Sequence, residues 1–352
     1  MHPSDVQTGG FAVAATIKDI ARKTGLGLAT ISKYLNGGRV RPNNKKLIDD
    51  AIREMNYVPN EIARSLKTNH SNAVGVVIPE LSNIFITSII TMMEDLLRQK
   101  GYAVIVCDCR SDKAREMEAV TFLVNKRVDG LICMPTDPSG ASLKPAVDAN
   151  LPIVLVDRMI KSLSRHASAV VVDNADATET TTRHFLELGH RDIGLILGDS
   201  GIYTTELRRQ GYLNAFAAFG ATPRADLIRM SDYSTEGGYR EMKSLLSEGK
   251  PPTAVLVTNY EMTVGAMLAI REMNVSIPDD LSMIGFDKVD IFSRLFPDLT
   301  MIKQPLDAIG EAVARQLLLL LDTRENRVNQ MITLSVQHVE GRSTKPLPAP
   351  VS

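Results

Sequence analysis

The chain has 352 residues, enough for two or three domains that each bury a core. It is 44% hydrophobic and 23% charged, with a formal net charge of −1, which excludes a disordered polymer, and it holds no run of 18 apolar residues, which excludes a membrane-spanning helix. The charge is unevenly spread: residues 1–69 carry 11 Lys/Arg against 6 Asp/Glu, while the remainder carries 29 against 35. The basic excess therefore lies in the segment that would meet phosphate.

Residues 1–15 contain no Lys or Arg, and the apolar run 11–15 is too short for a signal-peptide core. They read as a disordered extension of a cytoplasmic chain. A first helix starts at Thr16, whose hydroxyl can cap the free amides of the first turn, with Asp19 three residues on. Ile17, Ile20 and Ala21 recur at helical spacing. Gly25-Leu26-Gly27 makes the turn, with Gly25 free to take a left-handed backbone and Leu26 plugging the angle between helices. A second helix over 28–35 turns Ile31, Tyr34 and Leu35 inward and leaves Leu28, Ala29, Ser32 and Lys33 outside. A third helix over 44–55 is expected to bury Leu47, Ile48, Ala51, Ile52 and Met55. Two short helices across a glycine turn, the second presenting small and polar side chains beside a lysine, form a helix-turn-helix suited to a DNA major groove.

Pro59 ends this region, Asn60 can cap a short segment over 61–67, and 68–72 reads as a polar linker. From residue 73 the pattern changes. Strands are predicted over 74–78, 103–107, 130–134, 153–156 and 169–172, with helices over 84–100 and 112–125. A second run follows, with strands over 193–197, 254–257 and 281–285 and helices over 206–219, 235–247 and 261–273. Such alternation implies parallel sheets covered by helices on both faces. Two runs imply two similar subdomains, with a ligand between them where strand ends and loops converge. The Pro-rich residues 346–350 read as a loose tail. Three cysteines (Cys107, Cys109, Cys133) form no disulfide framework and lack the further ligands a metal site needs, so they read as thiols of a reducing compartment.

Gly-Asp-Ser-Gly over 198–201 has the look of a hydrolase nucleophile turn, but no base can be placed beside it. No glycine-rich phosphate loop with a following lysine occurs, so an enzyme of sugar metabolism is disfavoured. A sugar-binding transport protein would share the bilobed body but not the basic head.

Six motifs in order, Ala-Thr-Ile-Lys-Asp-Ile-Ala (15–21), Ala-Thr-Ile-Ser-Lys-Tyr-Leu-Asn (29–36), Tyr-Val-Pro-Asn-Glu-Ile-Ala-Arg-Ser-Leu (57–66), Arg-Val-Asp-Gly-Leu-Ile (127–132), Leu-Gly-His-Arg-Asp-Ile (188–193) and Ser-Met-Ile-Gly-Phe-Asp (282–287), resemble the lactose-repressor (LacI/GalR) family of bacterial transcription regulators. The resemblance covers about residues 16–343. It implies an α/β protein with an N-terminal helix-turn-helix DNA-binding domain and a two-lobed, periplasmic-binding-protein-like core of doubly wound parallel sheets. The expected divisions are an extension 1–15, a DNA-binding domain 16–59, a hinge helix and linker 60–72, a bilobed effector-binding and dimerisation domain 73–343 and a tail 344–352. It further implies a homodimeric, non-enzymatic regulator of a palindromic DNA operator, with no cofactor, no metal and no membrane contact. The effector would be a sugar, a sugar acid or a sugar phosphate.

Carried onto this chain, the family's base-reading positions fall on Leu28, Ala29 and Lys33, and its phosphate-positioning sites on Thr16, Thr30, Ser32 and Asn36. Gly27 departs from the serine that many relatives place at the second helix start. The hinge falls on 60–67, too short to be helical alone in water, with Leu66 as the minor-groove wedge beside Ala63 and Lys67. Effector-lining positions fall on Phe85, Asp157, Arg158, Arg208, Tyr233, Asn259 and Asp287: carboxylates to accept from hydroxyls, arginines to donate, aromatics to cover ring C–H groups. Tyr260 stands where many relatives have Asp. Leu66→Ala should largely abolish operator binding while the thermal transition of the body is kept; unchanged affinity and unchanged DNA bending would reject the wedge.

Overall fold

A computed structural model describes residues 15–35, 37–57, 70–289, 294, 296–323 and 327–347. The chain divides into two units, residues 1–71 and 72–352. In the first, α1 (Ile17–Thr24), α2 (Leu28–Leu35) and α3 (Pro42–Glu54) enclose a core of fully buried Ile20, Ile31 and Ile48 with Ala51. Gly25 takes the left-handed conformation at φ 67° and closes α1, its N–H donating to Ala21 O, and Leu26 packs into the core. Pro42 starts α3 two residues earlier than the sequence pattern, as a first-turn proline does. Leu47 is 48% exposed, contrary to expectation. The stripe that meets the core is centred on Ile48, Ala51, Ile52 and Met55, and Leu47 lies off its edge on a head too small to bury a wider face.

The second unit holds two six-stranded sheets. The elements run β1 (Ala73–Ile78), α4 (Ile84–Gln99), β2 (Ala103–Asp108), α5 (Lys113–Asn125), β3 (Gly130–Cys133), α6 (Lys144–Asp148), β4 (Ile153–Val156), β5 (Ser168–Val172), α7 (Asn174–Glu187) and β6 (Ile193–Leu197). They continue as α8 (Tyr203–Ala218), β7 (Ile228–Met230), α9 (Thr235–Ser247), β8 (Ala254–Val257), α10 (Tyr260–Glu272), β9 (Ser282–Phe286), β10 (Thr300–Lys303), α11 (Leu306–Asp322), β11 (Met331–Leu334) and β12 (Gln337–Val339).

The first sheet has the order β11-β5-β4-β3-β1-β2 and is parallel throughout; the second, β12-β10-β9-β8-β6-β7, is parallel except for β12. Central strands such as β4, β6 and β8 are buried at every residue, as sheets covered on both faces require. The chain passes between the lobes three times: from β5 into α7, from β10 into α11, and from β11 into β12. The elements after residue 285 were absent from the sequence reading. The Pro-rich tail is not loose where it is described: Lys345 N–H donates to Ser282 Oγ, Lys345 O accepts from His190 Nε2 at 3.1 Å, and Leu347 N–H donates to Leu188 O at 2.9 Å. The histidine of Leu-Gly-His-Arg thus serves to pin the chain's end. Cys109 and Cys133 are buried, and burial raises both thiols above their ordinary range.

Helices α9 and α10 cross at small residues. A Cβ at Gly265 would stand 1.9 Å from Thr235 O and 2.6 Å from Tyr239 N, both backbone atoms that cannot swing away. Gly265→Ala should therefore destabilise the body by about 1–3 kcal/mol or more. Denaturant midpoints measure this, and an unchanged midpoint would refute the close approach.

Candidate nucleic-acid interface and ligand cleft

The outward face of α2 is set by what its inward face buries. Ile31 at the core turns Leu28 (46% exposed), Ala29 and Lys33 to solvent and leaves Thr30 and Ser32 half-buried. Tyr34 donates its phenol hydrogen to Asp49 of α3, which fixes the roll of α2 on the head. Lys33, Lys45 and Lys46 make no ion pair among the described residues, so their charges remain available to an anion. Thr16 is the N-cap of α1 and forms a capping box with Asp19, as the sequence pattern predicts. Both its N–H (2.9 Å) and its hydroxyl (2.6 Å) donate to Asp19 Oδ2, and these bonds hold the Asp19 carboxyl below its ordinary range. Asn36, Ala63, Leu66 and Lys67 lie outside the described residues.

In the body, Phe85, Asp157, Arg158, Arg208, Tyr233, Asn259 and Asp287 all line one cavity of about 270 Å³ between the lobes. Asp157, Tyr233 and Asp287 follow β4, β7 and β9 and hold left-handed backbones at φ 64°, 63° and 63°. Non-glycine residues seldom take this conformation, and such strain collects at functional sites. Phe85 is buried in the first turn of α4.

Of the seven, Asn259 and Arg208 are the most fully committed to internal bonds. Asn259 caps α10, its Oδ1 accepting from Met262 N–H at 2.9 Å and its Nδ2 donating to Tyr233 O at 3.1 Å. Arg208 is 3% exposed; its Nε donates to Asn174 Oδ1 at 2.8 Å, its Nη1 donates to Thr258 O, and its plane lies 4.0 Å from the Phe286 ring centroid. Both therefore position the cleft floor rather than projecting freely into it. The Tyr233 hydroxyl meets Thr204 Oγ1 at 3.0 Å and Thr205 Oγ1. Its ring lies so close to Gly198 that a Cβ there would come within 2.0 Å. The first glycine of Gly-Asp-Ser-Gly thus makes room for this ring.

Tyr260 reaches across the cleft. Its hydroxyl accepts from Ile84 N–H at the free start of α4 (3.3 Å) and donates to Glu261 Oε1 (3.0 Å), so one lobe caps a helix of the other. The sequence reading missed Glu80, Asp199, Asp232, Glu261 and Gln304, which also line the cavity. Asp199 stands two residues beyond β6, a position readable from a strand-end rule. Asp232 and Gln304 follow β7 and β10, two short strands that the sequence pattern did not reveal.

A helix-turn-helix head with an exposed reading face and a bilobed body around a polar cavity define a ligand-responsive, DNA-binding transcriptional repressor. Residues 16–60 match the model of bacterial regulatory proteins of the lacI family, and residues 182–344 match a periplasmic binding protein-like domain. The HTH-type transcriptional repressor PurR of Serratia proteamaculans is 33% identical over 333 residues, covering 94% of this chain and 96% of the relative. The lac repressor dimer bound to operator and the anti-inducer ONPF superposes with a TM-score of 0.80 at 27% identity, covering 94% of this chain and 99% of that one. A LacI family transcriptional regulator from Enterococcus faecium with bound ribose gives a TM-score of 0.69 at 26% identity, covering 78% and 100%. The chain belongs to the lacI family of bacterial regulatory proteins.

Burial, and secondarily the Asp157 charge, raises the Asp287 carboxyl from 3.8 to about 6, against the Arg208 charge and the hydrogen bond from Gln304. The folded protein holds this proton more tightly than the unfolded chain does. Its stabilising contribution is complete below 3.8 and is lost as pH rises through about 6. The melting temperature of the wild type should accordingly fall relative to that of Asp287→Asn as pH rises through about 6. A difference independent of pH would contradict it.

Proposed function

We propose that the protein acts in the cytoplasm as a homodimer, each head reading one half of a palindromic operator, with a small sugar-like effector in the interlobe cleft tuning that grip. Leu28 and Ala29 would touch thymine methyl groups, and Lys33 would reach guanine O6 and N7. Thr16, Thr30, Ser32 and Asn36 would meet phosphates, while Ala63, Leu66 and Lys67 would enter the minor groove from the hinge. Asp157, Arg158 and Asp287 would take the effector's polar groups, and Phe85 and Tyr233 its apolar faces. The role would be binding and not catalysis, a reading supported by the similar proteins being transcriptional repressors.

The observation that carries this reading is the pairing of two built surfaces in one chain. One is a helix face with exposed small apolar groups and a lysine that makes no ion pair among the described residues. The other is a cavity where three strained residues at strand ends converge. Ligand occupancy would shift the lobes between two arrangements, alter the spacing of the two hinges in the dimer, and change DNA affinity by about 1–3 kcal/mol.

Selection from random duplex oligonucleotides by the full-length protein is the direct test. It should enrich one palindrome, bound with affinity falling about 10³–10⁵-fold from 50 to 200 mM salt if about 6–10 phosphates are contacted. Lys33→Ala should relax preference at one symmetric position by about 1–3 kcal/mol. Failure to enrich any site, with or without sugars present, would defeat the proposal.

A further inference from the structure

Two glycines close α2, and physical demands of different kinds act on them. Gly37 holds a left-handed backbone at φ 78°, and a Cβ built on it would meet nothing within 4 Å. Glycine suits it because of its backbone conformation. The φ of Gly38 lies outside the left-handed region, so its backbone would accept any residue. The demand there is one of space. A Cβ on Gly38 would stand 2.6 Å from Lys33 Cγ, 2.8 Å from Lys33 O and 3.3 Å from Lys33 Cε. Non-bonded carbons rest about 3.5–4.0 Å apart, so Lys33 would have to move.

The two glycines meet free carbonyls of the last helical turn. Gly37 N–H donates to Tyr34 O at 2.9 Å, and Gly38 N–H donates to Lys33 O at 2.8 Å. In a helix end of this kind, the residue after the left-handed one commonly packs its side chain against the residue whose carbonyl it caps. Here the capping residue has no side chain, and the residue it faces is Lys33. The lysine stem runs through the place that a side chain at position 38 would take.

Lysine carries a compact charge on a flexible four-carbon stem, so the position of the ammonium follows from what the stem rests on. Lys33 is exposed, and among the described residues no ion pair holds its charge elsewhere. Its stem is laid against glycine at the end of the helix whose outward face carries Leu28 and Ala29.

We infer that Gly38 is a positioning residue that determines specificity: by carrying no side chain it leaves the Lys33 stem its path, and so sets which base edge the ammonium meets. It acts through Lys33. The inference rests on the reading of Lys33 as a base-contacting residue.

The test titrates full-length wild type, Lys33→Ala, Gly38→Ala, Gly37→Ala and the double variant Lys33→Ala/Gly38→Ala. Each meets the selected palindrome and duplexes carrying symmetric single-base changes. Lys33→Ala marks the position that the lysine reads. Gly38→Ala should lower discrimination at that same position by about fivefold or more and leave the other positions unchanged. Gly37→Ala strains the same helix end without touching Lys33, so it should keep discrimination at every position. In the double variant, Gly38→Ala should add no loss of discrimination to that of Lys33→Ala. Unchanged discrimination in Gly38→Ala overturns the inference. So does equal weakening on every duplex, the same selective loss in Gly37→Ala, or a further loss in the double variant. Should Gly38→Ala not fold, selectively labelled wild type bound to operator decides. Nuclear Overhauser contacts between the Gly38 Cα protons and the Lys33 side chain support the inference, and their absence overturns it. If Lys33→Ala relaxes no position, the base-reading role itself fails and the inference with it, a result distinct from failure of the Gly38 effect alone.

Discussion

A parallel strand buried on both faces has no exposed side chain along its length, so its chemistry is confined to its end. In the body, the buried central strands β4, β6, β8 and β9, with the edge strand β7, bring the residues that follow them to one cavity. Each strand contributes residues from the few positions just past its end. The backbone must turn sharply there, and Asp157, Tyr233 and Asp287 do so in a conformation that non-glycine residues avoid. The cost is borne by bonds just behind them: Asp157 N–H to Val170 O, Asn259 Nδ2 to Tyr233 O, and Gln304 Nε2 to Asp287.

Arg208 is the buried charge around which the cleft floor is organised. An unpaired guanidinium at 3% exposure would be costly, and here it is met by an amide oxygen, a carbonyl and an aromatic face, with Asp287 close enough for their charges to interact. Asn174 opens α7 just after the first passage between lobes, Thr258 directly follows β8, and Phe286 ends β9. One side chain thus ties three elements together at the place where a bound molecule would act. Those elements all belong to the second lobe; Tyr260 ties the two lobes through Ile84 N–H, alongside the chain's three passages between them. A buried apolar cluster also runs continuously through residues of both lobes, from Val74 and Val154 of the first sheet to Val255 and Met283 of the second.

The head solves a different problem with less material. Its core is four buried residues, so local devices matter: a left-handed glycine closing α1, the Thr16–Asp19 cap, and a phenol bridging α2 and α3. These fix the orientation of α2, and hence which residues face outward, without drawing on the residues that would read a base.

The sequence by itself determined the elements whose signal is local. Helix α2 over Leu28–Leu35, helix α9 over Thr235–Ser247 and the strands β4, β6 and β8 match the pattern residue for residue, because a period of 3.6 or a short apolar run is written in consecutive positions. The seven cleft residues were legible through family resemblance, and the structure brings all seven to one cavity. What only the tertiary structure decided was the work each performs. Arg208 and Asn259 are held by partners 34 to 50 and 26 residues distant, and Tyr260 by a helix start 176 residues away. The return of α11 to the first lobe, the docking of residues 344–347 on the second and the exposure of Leu47 are likewise non-local. Each depends on which surface is left uncovered once the other elements have packed, and no window of neighbouring residues contains that information.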